Sequence, residues 1–349
     1  MGINLSDVVT LEPRRLEDFS GEVLAIDAFN TLYQFLAIIR QPDGTPLMDR
    51  QGRITSHLSG LIYRLSNFVA AGIRPAFVFD GEPPRLKAHT LAARGEAKRR
   101  AEREWREAVE IGDLPTARTK AMQTSRLTDE MIDQSKRLLG LLGIPWVQAP
   151  GEGEAQASAM ARNGIAYAAA SQDFDALLFG SPRLVKNLAI SGRRKLPRKE
   201  VYVEVQPEEI SLEATLGNLG ITREQLVDMG LLIGTDFNEG VKGIGPKKAL
   251  ALIKKHGSLE GALAELGVDI ESKAEVRAIF LAPNVFGHVE IRFRDPDPDG
   301  VRRMLCDEHD FSRERIDAAL EKFGVARGEQ KQQSLDSWFG SRGIREERL

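Results

Sequence analysis

The chain has 349 residues, of which 42% are hydrophobic and 28% are charged, a balance typical of a globular protein with a large core. The formal net charge of −3 argues against a strongly basic coat protein for nucleic acid. The single cysteine, Cys306, excludes an internal disulfide and a cysteine-rich zinc site. No apolar run approaches the roughly 20 residues that span a bilayer, so we expect no membrane association and an intracellular, reducing location.

Three short apolar runs, at 23–26, 75–79 and 166–170, predict buried strands. Helical patterns separate them, at 55–71, at 128–142 and from about 153 onward, and from about 208 the pattern is helical again. Strands that alternate with helices indicate a doubly wound α/β fold. We therefore predict a central, mostly parallel twisted sheet that is flanked by helices.

A basic segment interrupts this pattern after the second predicted strand. Residues 85–106 contain eight arginines and lysines against three glutamates, and the apolar period weakens there. The segment predicts an exposed helix that projects from the sheet region, and a solvated basic face is its simplest interpretation. Lys87 and Arg94 are seven residues apart, so they fall on one face of such a helix.

Aspartate follows each of the three predicted strands, as Asp27, Asp80 and, after a short gap, Asp173. Ligands of open α/β sheets bind beyond the carboxyl ends of the strands, so these side chains should share one rim. A single aspartate at a strand end is more often a cap or a turn former. The set is larger than that, because the same rim should also receive Asp175, Glu152, Glu154 and Asp236.

Seven carboxylates need a neutralising partner, because like charges within about 6 Å raise one another's pKa values and oppose folding. Arginines could supply it, but oxygen ligands without histidine or cysteine also favour hard cations such as Mg²⁺ or Mn²⁺. Since Mg²⁺ keeps several waters, this many carboxylates suits two ions, which together stabilise the attacking and leaving oxygens of a phosphodiester. The rim therefore predicts metal-dependent phosphodiester hydrolysis.

A glycine-rich turn, Gly243-Ile244-Gly245, separates two helical patterns. Its glycines allow a phosphate to approach backbone N–H groups, and the next helix adds a favourable dipole. Lys247 and Lys248 supply charges that hold a duplex without reading its sequence. The alternative is a plain packing turn between two helices.

Six segments of the chain recur in the order typical of flap endonucleases, the XPG-type members of the structure-specific 5′ nuclease superfamily. The chain resembles the archaeal members of this family from Gly2 to Phe339, with a helical arch inserted in the sheet region and a helix–hairpin–helix (H3TH-like) DNA-binding lobe. The matching segments are IDAFN at 26–30, TSHL at 55–58, VFDGEPP at 78–84, EGEAQA at 152–157, SQDFD at 171–175 and GTDFN at 234–238.

The resemblance implies cleavage of DNA that carries a 5′ flap, near the junction of single and double strands, together with 5′–3′ exonuclease activity. It implies 5′-phosphate products and a role in Okazaki-fragment maturation and base excision repair. Lys87 and Arg94 would reach over the scissile phosphate from the arch, and we count Asp27 and Asp80 with them as catalytic. Two Mg²⁺ ions, replaceable by Mn²⁺, would be held by Asp27, Asp80, Glu152, Glu154, Asp173, Asp175 and Asp236.

Further DNA contacts follow from the same resemblance. Tyr33 would stack on a base, Arg40 and Arg64 would meet phosphates or support the acidic cluster, and Thr55 would line a pocket for a one-nucleotide 3′ flap. A structural role is the alternative for each of them. The hairpin around Gly243 would also hold K⁺.

The polar, glutamine-rich end of the chain carries isolated large apolar side chains. A groove on a partner would bury these as anchors, whereas folding back onto the chain's own core is the alternative. The resemblance names the sliding clamp PCNA as that partner. The residues that match the clamp-binding box are Gln332, Leu335, Trp338 and Phe339.

Five regions follow from these patterns: a nuclease region at 1–82, the arch at 83–130, a second nuclease region at 131–232, the hairpin and C-terminal helices at 233–326, and a tail at 327–349. We expect a monomer in the cytoplasm of an archaeal cell, associated with the nucleoid. Two other functions stay open. A small-substrate phosphatase would use Asp173 and Asp175 but leave the basic helix unused, and a DNA-junction scaffold would bind without metal.

Overall fold

A computed structural model describes residues 3–195 and 202–324 of the chain. In chain order its strands are β1 (Glu12–Pro13), β2 (Val23–Asp27), β3 (Arg74–Phe79), β4 (Trp146–Gln148), β5 (Ala168–Ala170), β6 (Arg183–Lys186), β7 (Gly192–Lys195), β8 (Tyr202–Val205) and β9 (Glu208–Ser211). The main sheet has the order β1-β9-β6-β5-β2-β3-β4, and β7 and β8 form a separate antiparallel hairpin. From β6 to β4 all neighbours are parallel, and β9 and β1 are antiparallel, which confirms a mostly parallel sheet.

Helices cover both faces of this sheet. They are α1 (Ala28–Ile38), α2 (Ser56–Ala70), α3 (Ala88–Glu110), α4 (Leu114–Ala121), α5 (Asp129–Leu141), α6 (Gly153–Arg162), α7 (Asp175–Leu178), α8 (Leu212–Leu219), α9 (Arg223–Ile233), α10 (Pro246–His256), α11 (Leu259–Leu266), α12 (Lys273–Leu281), α13 (Pro298–Arg302) and α14 (313–324). Short 3₁₀ turns occur at Leu16–Phe19, Arg85–Lys87 and Leu188–Ile190, and a π-helical turn follows α13 at Arg303–Asp307.

Side chains of the central strands alternate between two hydrophobic cores, one on each face of the sheet. In β2, Ala25 belongs to the core beneath α6, α7 and α9 to α12, whereas Leu24 and Ile26 belong to the core beneath α1, α2 and α5. Burial on both faces explains why the strand sequences are almost continuously apolar. It also leaves only the strand ends for polar residues.

The helices predicted at 55–71 and 128–142 begin and end within one residue of the observed bounds of α2 and α5, because local signals fix them. Helix α5 begins after Thr128, whose side chain accepts a hydrogen bond from the N–H of Met131. Helix α6 begins at Gly153 as expected, with Glu152 at its N-cap position. None of the helices in the two described ranges is long and apolar enough to cross a membrane.

The prediction of strands was incomplete. Strand β5 begins at Ala168, two residues later than expected, and β4, β6 and β9 were not predicted. The helical prediction from 208 was wrong at its start, because Glu208–Ser211 pairs antiparallel with β6 and buries Ile210 in the core. Pairing with a neighbouring strand overrides the local pattern of so short a segment.

Candidate active site

The three expected strand ends lie side by side. Strand β2 lies between β5 and β3, and both pairings are parallel. Asp27 is the last residue of β2, Asp80 follows β3 directly, and Asp173 is three residues beyond β5. The carboxyl ends of adjacent parallel strands therefore bring these aspartates to one edge of the sheet, as predicted.

Hydrogen bonds from the backbone fix two of these carboxylates. Asp27 caps α1, and its Oδ1 accepts the N–H of Asn30 at 3.0 Å. The Oδ1 atom of Asp80 accepts the N–H of Gly153 at 2.7 Å. A Cβ atom at residue 153 would stand 2.5 Å from that oxygen, so the glycine of the Glu-Gly-Glu segment is what permits this close approach.

Backbone N–H groups also hold the carboxylates of Glu154 and Asp175. The Oε1 atom of Glu154 accepts the N–H of Ala176 at 3.0 Å, and the Oδ1 atom of Asp175 accepts the N–H of Ile3 at 2.9 Å. Burial raises the pKa of Glu154 well above its ordinary value, and the charges of Asp175 and Asp173 raise it further. Burial and the charge of Asp173 raise the pKa of Asp175 to about 7.

The same repulsion extends across the rim. Burial and the charges of Asp80 and Asp173 raise the pKa of Asp27 well above its ordinary value. Burial raises the pKa values of Asp80 and Glu152 as well, and in both cases the charge of Asp236 adds to the effect. All seven predicted carboxylates thus act on one another, and the cluster is unstable unless cations offset its charge.

Two cations from the base of the basic helix already touch the rim. Lys87 lies in the 3₁₀ turn before α3, and its Nζ atom donates to Glu152 and lies 3.9 Å from Asp236. Arg94 lies in α3 and donates through a terminal nitrogen to the Oδ1 atom of Asp236. Burial alone would lower the pKa of Lys87, but the carboxylates of Glu152, Asp80 and Asp236 raise it above its ordinary value.

The donor chemistry of the rim suits a hard cation, because every member is a carboxylate. Among the described residues, however, no three histidine, cysteine, aspartate or glutamate side chains already stand in a geometry that holds a metal ion. Glu152 and Asp236 are instead turned toward Lys87 and Arg94. The residues fit a divalent ion in type, burial and charge, and its binding requires some of these side chains to reorient.

Comparison with known proteins decides the family. Two domain families match the chain, the XPG N-terminal domain over residues 2–102 and the XPG I-region over residues 143–236. Flap endonuclease 1 of Aeropyrum pernix is 53% identical over 350 residues, which covers 97% of this chain and 100% of that protein. The chain belongs to the flap endonuclease family.

Two further relatives agree with this assignment. Flap endonuclease 1 of Archaeoglobus fulgidus is 53% identical over 339 residues, covering 97% of this chain and 100% of that protein. The structure of flap endonuclease-1 from Methanococcus jannaschii matches with a TM-score of 0.75 and 39% identity, covering 94% of this chain and 100% of that one. The predicted family, fold class and nuclease activity in DNA replication and repair are confirmed, and nucleases of this family depend on metal.

In this flap endonuclease most of the basic segment forms α3, which packs with α4 as a pair of helices. Only Ala101 and Ala108 of α3 are buried, so the expectation of an exposed helix is confirmed. The pair is nevertheless fastened to the body of the protein. The indole N–H of Trp105 donates to the backbone oxygen of Asp43 at 3.2 Å, and Lys98 lies 4.5 Å from the centre of the Tyr33 ring.

Arg40 and Arg64, predicted to contact DNA, make hydrogen bonds within the protein. The guanidinium group of Arg40 donates to the backbone oxygens of Leu36 and Gly44 and to the hydroxyl of Ser125. Arg64 donates to the backbone oxygen of Ser191 at 2.6 Å, and Thr55 is buried at the N-cap position of α2. These contacts favour a structural part for Arg40 in particular.

The glycine-rich turn connects α9 and α10, so the helix–hairpin–helix expectation matches the observed order of elements. Gly243 has a φ angle of +83°, a left-handed conformation that favours glycine, and a Cβ atom at either Gly243 or Gly245 would meet nothing within 4 Å. Lys248 donates to the backbone oxygen of Gly243, and Lys247 is 76% exposed. The turn therefore presents an open backbone surface beside two lysines.

Sequence reasoning missed two residues beside the rim. Asn30 donates through its side chain to the Oδ2 atom of Asp173 at 3.1 Å. Lys186, at the end of β6, donates to the backbone oxygen of Gln172, and burial lowers its pKa. Lys186 was missed because β6 was not predicted. The signal that could have found Asn30 is its place in the matching segment 26–30, three residues after Asp27. The clamp-binding residues Gln332, Leu335, Trp338 and Phe339 lie outside the described residues.

Proposed function

We propose that this chain cleaves 5′-flapped DNA near the junction of single and double strands, by hydrolysis supported by two divalent ions, and also acts as a 5′–3′ exonuclease. The observation that carries this proposal is the rim of seven carboxylates, in which burial and the charges of neighbouring members raise the pKa values of Asp27, Asp80, Glu152, Glu154 and Asp175. The repulsion within such a cluster opposes folding, and bound cations would offset it. The products would carry a 5′ phosphate and a 3′ hydroxyl.

The ions we propose are Mg²⁺, with Mn²⁺ as a substitute, because the rim offers oxygen ligands only. When bound, such ions lower the pKa of water and stabilise charge that develops on phosphate oxygens. The proposed ligands, directly or through water, are Asp27, Asp80, Glu152, Glu154, Asp173, Asp175 and Asp236.

Lys87 and Arg94 would act on the phosphate rather than on the metal. They now neutralise Glu152 and Asp236, at the point where the basic helix leaves the sheet. If Glu152 and Asp236 held a divalent ion instead, Lys87 and Arg94 would be free to turn toward an incoming phosphate. There they would stabilise the charge that forms during cleavage.

Duplex DNA would be held by the hairpin of Gly243 and Gly245 and by Lys247 and Lys248, with K⁺ at the hairpin. Glycine backbone and exposed lysines suit phosphate contacts, which carry no sequence information. For the other predicted contacts we propose that Tyr33 meets a base. Arg40 and Arg64, whose side chains are half-exposed, would meet phosphates or support the acidic cluster, and Thr55 would line a pocket for a one-nucleotide 3′ flap.

The remaining proposals concern organisation and partners. We propose the five-region division at residues 82, 130, 232 and 326, a monomeric chain, and a cytoplasmic, nucleoid-associated location. The clamp PCNA would be bound through Gln332, Leu335, Trp338 and Phe339. A polar segment with isolated aromatic residues supports a partner groove, because such anchors account for most of the binding energy of small interfaces.

Cleavage of end-labelled flap, nicked and single-stranded DNA, with Mg²⁺ or with EDTA, tests the proposal. We expect incision near the flap junction with Mg²⁺ only, and loss of incision in Asp173→Ala. Asp269→Ala is the matched control, because Asp269 is an exposed aspartate paired with Lys273 and distant from the rim in sequence. Tight binding without cleavage under any divalent ion would indicate a scaffold, and faster turnover of p-nitrophenyl phosphate than of DNA would indicate a phosphatase.

A further inference from the structure

Asn30 joins two rim carboxylates that belong to different strands. Its backbone N–H donates to the Oδ1 atom of Asp27 at 3.0 Å, and its side-chain Nδ2 donates to the Oδ2 atom of Asp173 at 3.1 Å. Asn30 lies in the first turn of α1, directly after β2, whereas Asp173 follows β5. One residue therefore bridges two carboxylates that come from separate parts of the chain.

The chemistry of a carboxylate fixes which way the Asn30 amide faces. An ionised carboxylate only accepts hydrogen bonds, so the NH₂ group of Asn30 must face Asp173 and its oxygen must face away. That oxygen accepts the Nε2 hydrogen of Gln34 at 3.2 Å. Gln34 lies four residues further along α1, at the spacing that brings side chains together on one helix face.

The chain of hydrogen bonds from Asp173 through Asn30 to Gln34 ends at a small cavity. The Oε1 atom of Gln34 is buried and has no hydrogen-bond partner among the described residues. Gln34 and Asn30 line a cavity of about 10 Å³ together with Ser171 and Gln172, which precede Asp173. This volume is roughly that of one water, the donor that a buried amide oxygen would need.

We propose that Asn30 and Gln34 form a positioning pair that orients Asp173 relative to Asp27 for divalent-metal binding. The proposal rests on the proposed function, because it takes both aspartates as metal ligands. Partners that hydrogen-bond to ligating groups fix the orientation of those groups, and their loss typically weakens metal affinity by about 10- to 100-fold. Asn30 is thus a positioning residue, and Gln34 acts through it.

The test measures Mn²⁺ binding to the full chain by electron paramagnetic resonance, without DNA, in wild type, Asn30→Leu and Gln34→Leu. Leucine keeps the approximate volume of each side chain and removes its hydrogen bonds. We expect affinity to fall by about 10- to 100-fold in Asn30→Leu, and by roughly threefold to tenfold in Gln34→Leu, the worth of one neutral hydrogen bond. The Mg²⁺ concentration for half-maximal flap cleavage should rise in parallel.

Asn67→Leu is the matched control. Asn67 also lies in a helix and makes one side-chain hydrogen bond, from Lys322, but it stands near the carboxyl end of α2. Its Mn²⁺ affinity should equal that of wild type. Melting in EDTA separates positioning from folding, since the midpoint of Asn30→Leu should stay within about 3 °C of wild type. If Asn30→Leu does not fold, Asn30→Ala replaces it under the same criteria.

The outcomes separate this inference from the proposed function. Suppose that Asp173→Asn loses Mn²⁺ binding but that both Asn30→Leu and Gln34→Leu fold and bind Mn²⁺ as tightly as wild type. That result would overturn the positioning pair and leave the metal-binding rim intact. If wild type bound no Mn²⁺, or Asp173→Asn bound it as tightly, the metal-binding rim itself would be wrong. A loss of affinity that matched an equal loss of stability in EDTA would also overturn the pair, because a folding defect would explain it.

Discussion

The carboxylate rim and the hairpin of Gly243 are built in opposite ways. At the rim, buried side chains are held by hydrogen bonds from other elements, and a Cβ atom at Gly153 would collide with Asp80. At the hairpin, a Cβ atom at Gly243 would meet nothing within 4 Å, and Lys247 is largely exposed. Chemistry needs fixed positions, whereas binding of a phosphate backbone needs accessible N–H groups and charge. The two regions should therefore respond differently to substitution.

Lys87→Ala should give the largest loss of activity. Removing one group that stabilises developing charge typically costs about 10²- to 10³-fold in rate. Single-turnover cleavage of flap DNA at saturating Mg²⁺ measures this. Lys120→Ala is the control, because Lys120 in α4 pairs with Glu104 of α3 and such solvent-accessible pairs contribute little. Equal rates in the two variants would contradict a special place for Lys87.

Gly153→Ala should reduce cleavage by about 10- to 100-fold, because the added Cβ would stand 2.5 Å from the Asp80 Oδ1 atom and a misplacement of about 1 Å can cost about 100-fold in rate. The required Mg²⁺ concentration should rise with it. Gly140→Ala, in the last turn of α5 where a Cβ meets nothing, is the control and should be neutral or stabilise by about 0.5 to 1 kcal/mol. Wild-type Mg²⁺ dependence in Gly153→Ala would show that the rim is more pliable than its contacts indicate.

Replacing Lys247 and Lys248 together by alanine should weaken DNA binding without changing the single-turnover rate at saturating enzyme. Each lost phosphate contact should lower the slope of log affinity against log salt by about 1. Fluorescence anisotropy with duplex DNA over a range of KCl concentrations measures the slope. A reduced maximal rate with an unchanged slope would place these lysines with the rim rather than with the hairpin.

The smallest effect concerns stability and pH. The pKa of Asp175 rises from 3.8 to about 7 on folding, so the folded chain binds more protons than the unfolded chain between these values. Stability from this group is therefore greatest at low pH and is lost as the pH rises toward 7. In EDTA, the melting midpoint of Asp175→Asn should gain on wild type between about pH 5 and pH 7.5. A difference in melting midpoint that stayed constant over this pH range would show that burial and the charge of Asp173 do not raise the pKa of Asp175.

Much of the rim could be predicted because the strands that carry it are apolar on both faces and end abruptly in aspartate. Strand β9 could not, because Glu208–Ser211 has little apolar pattern and becomes a strand by pairing with β6. The hydrogen-bond partners of Arg40 could not be predicted from the sequence either, because they are two backbone oxygens and one serine hydroxyl. Sequence patterns indicate which segments are buried and where helices and strands end. Strand pairing and side-chain hydrogen bonds depend on the folded geometry.

Asp236 connects the acidic rim, the basic helix α3 and the segment that leads to the hairpin. It lies between α9 and the hairpin, its carboxylate meets Arg94, and its backbone oxygen accepts the hydroxyl hydrogen of Thr90 at 2.8 Å. A duplex that shifts the hairpin would therefore pull on the foot of the basic helix pair and on one edge of the acidic cluster together. We expect the binding of double-stranded DNA at the hairpin to be mechanically coupled to the positions of the catalytic residues.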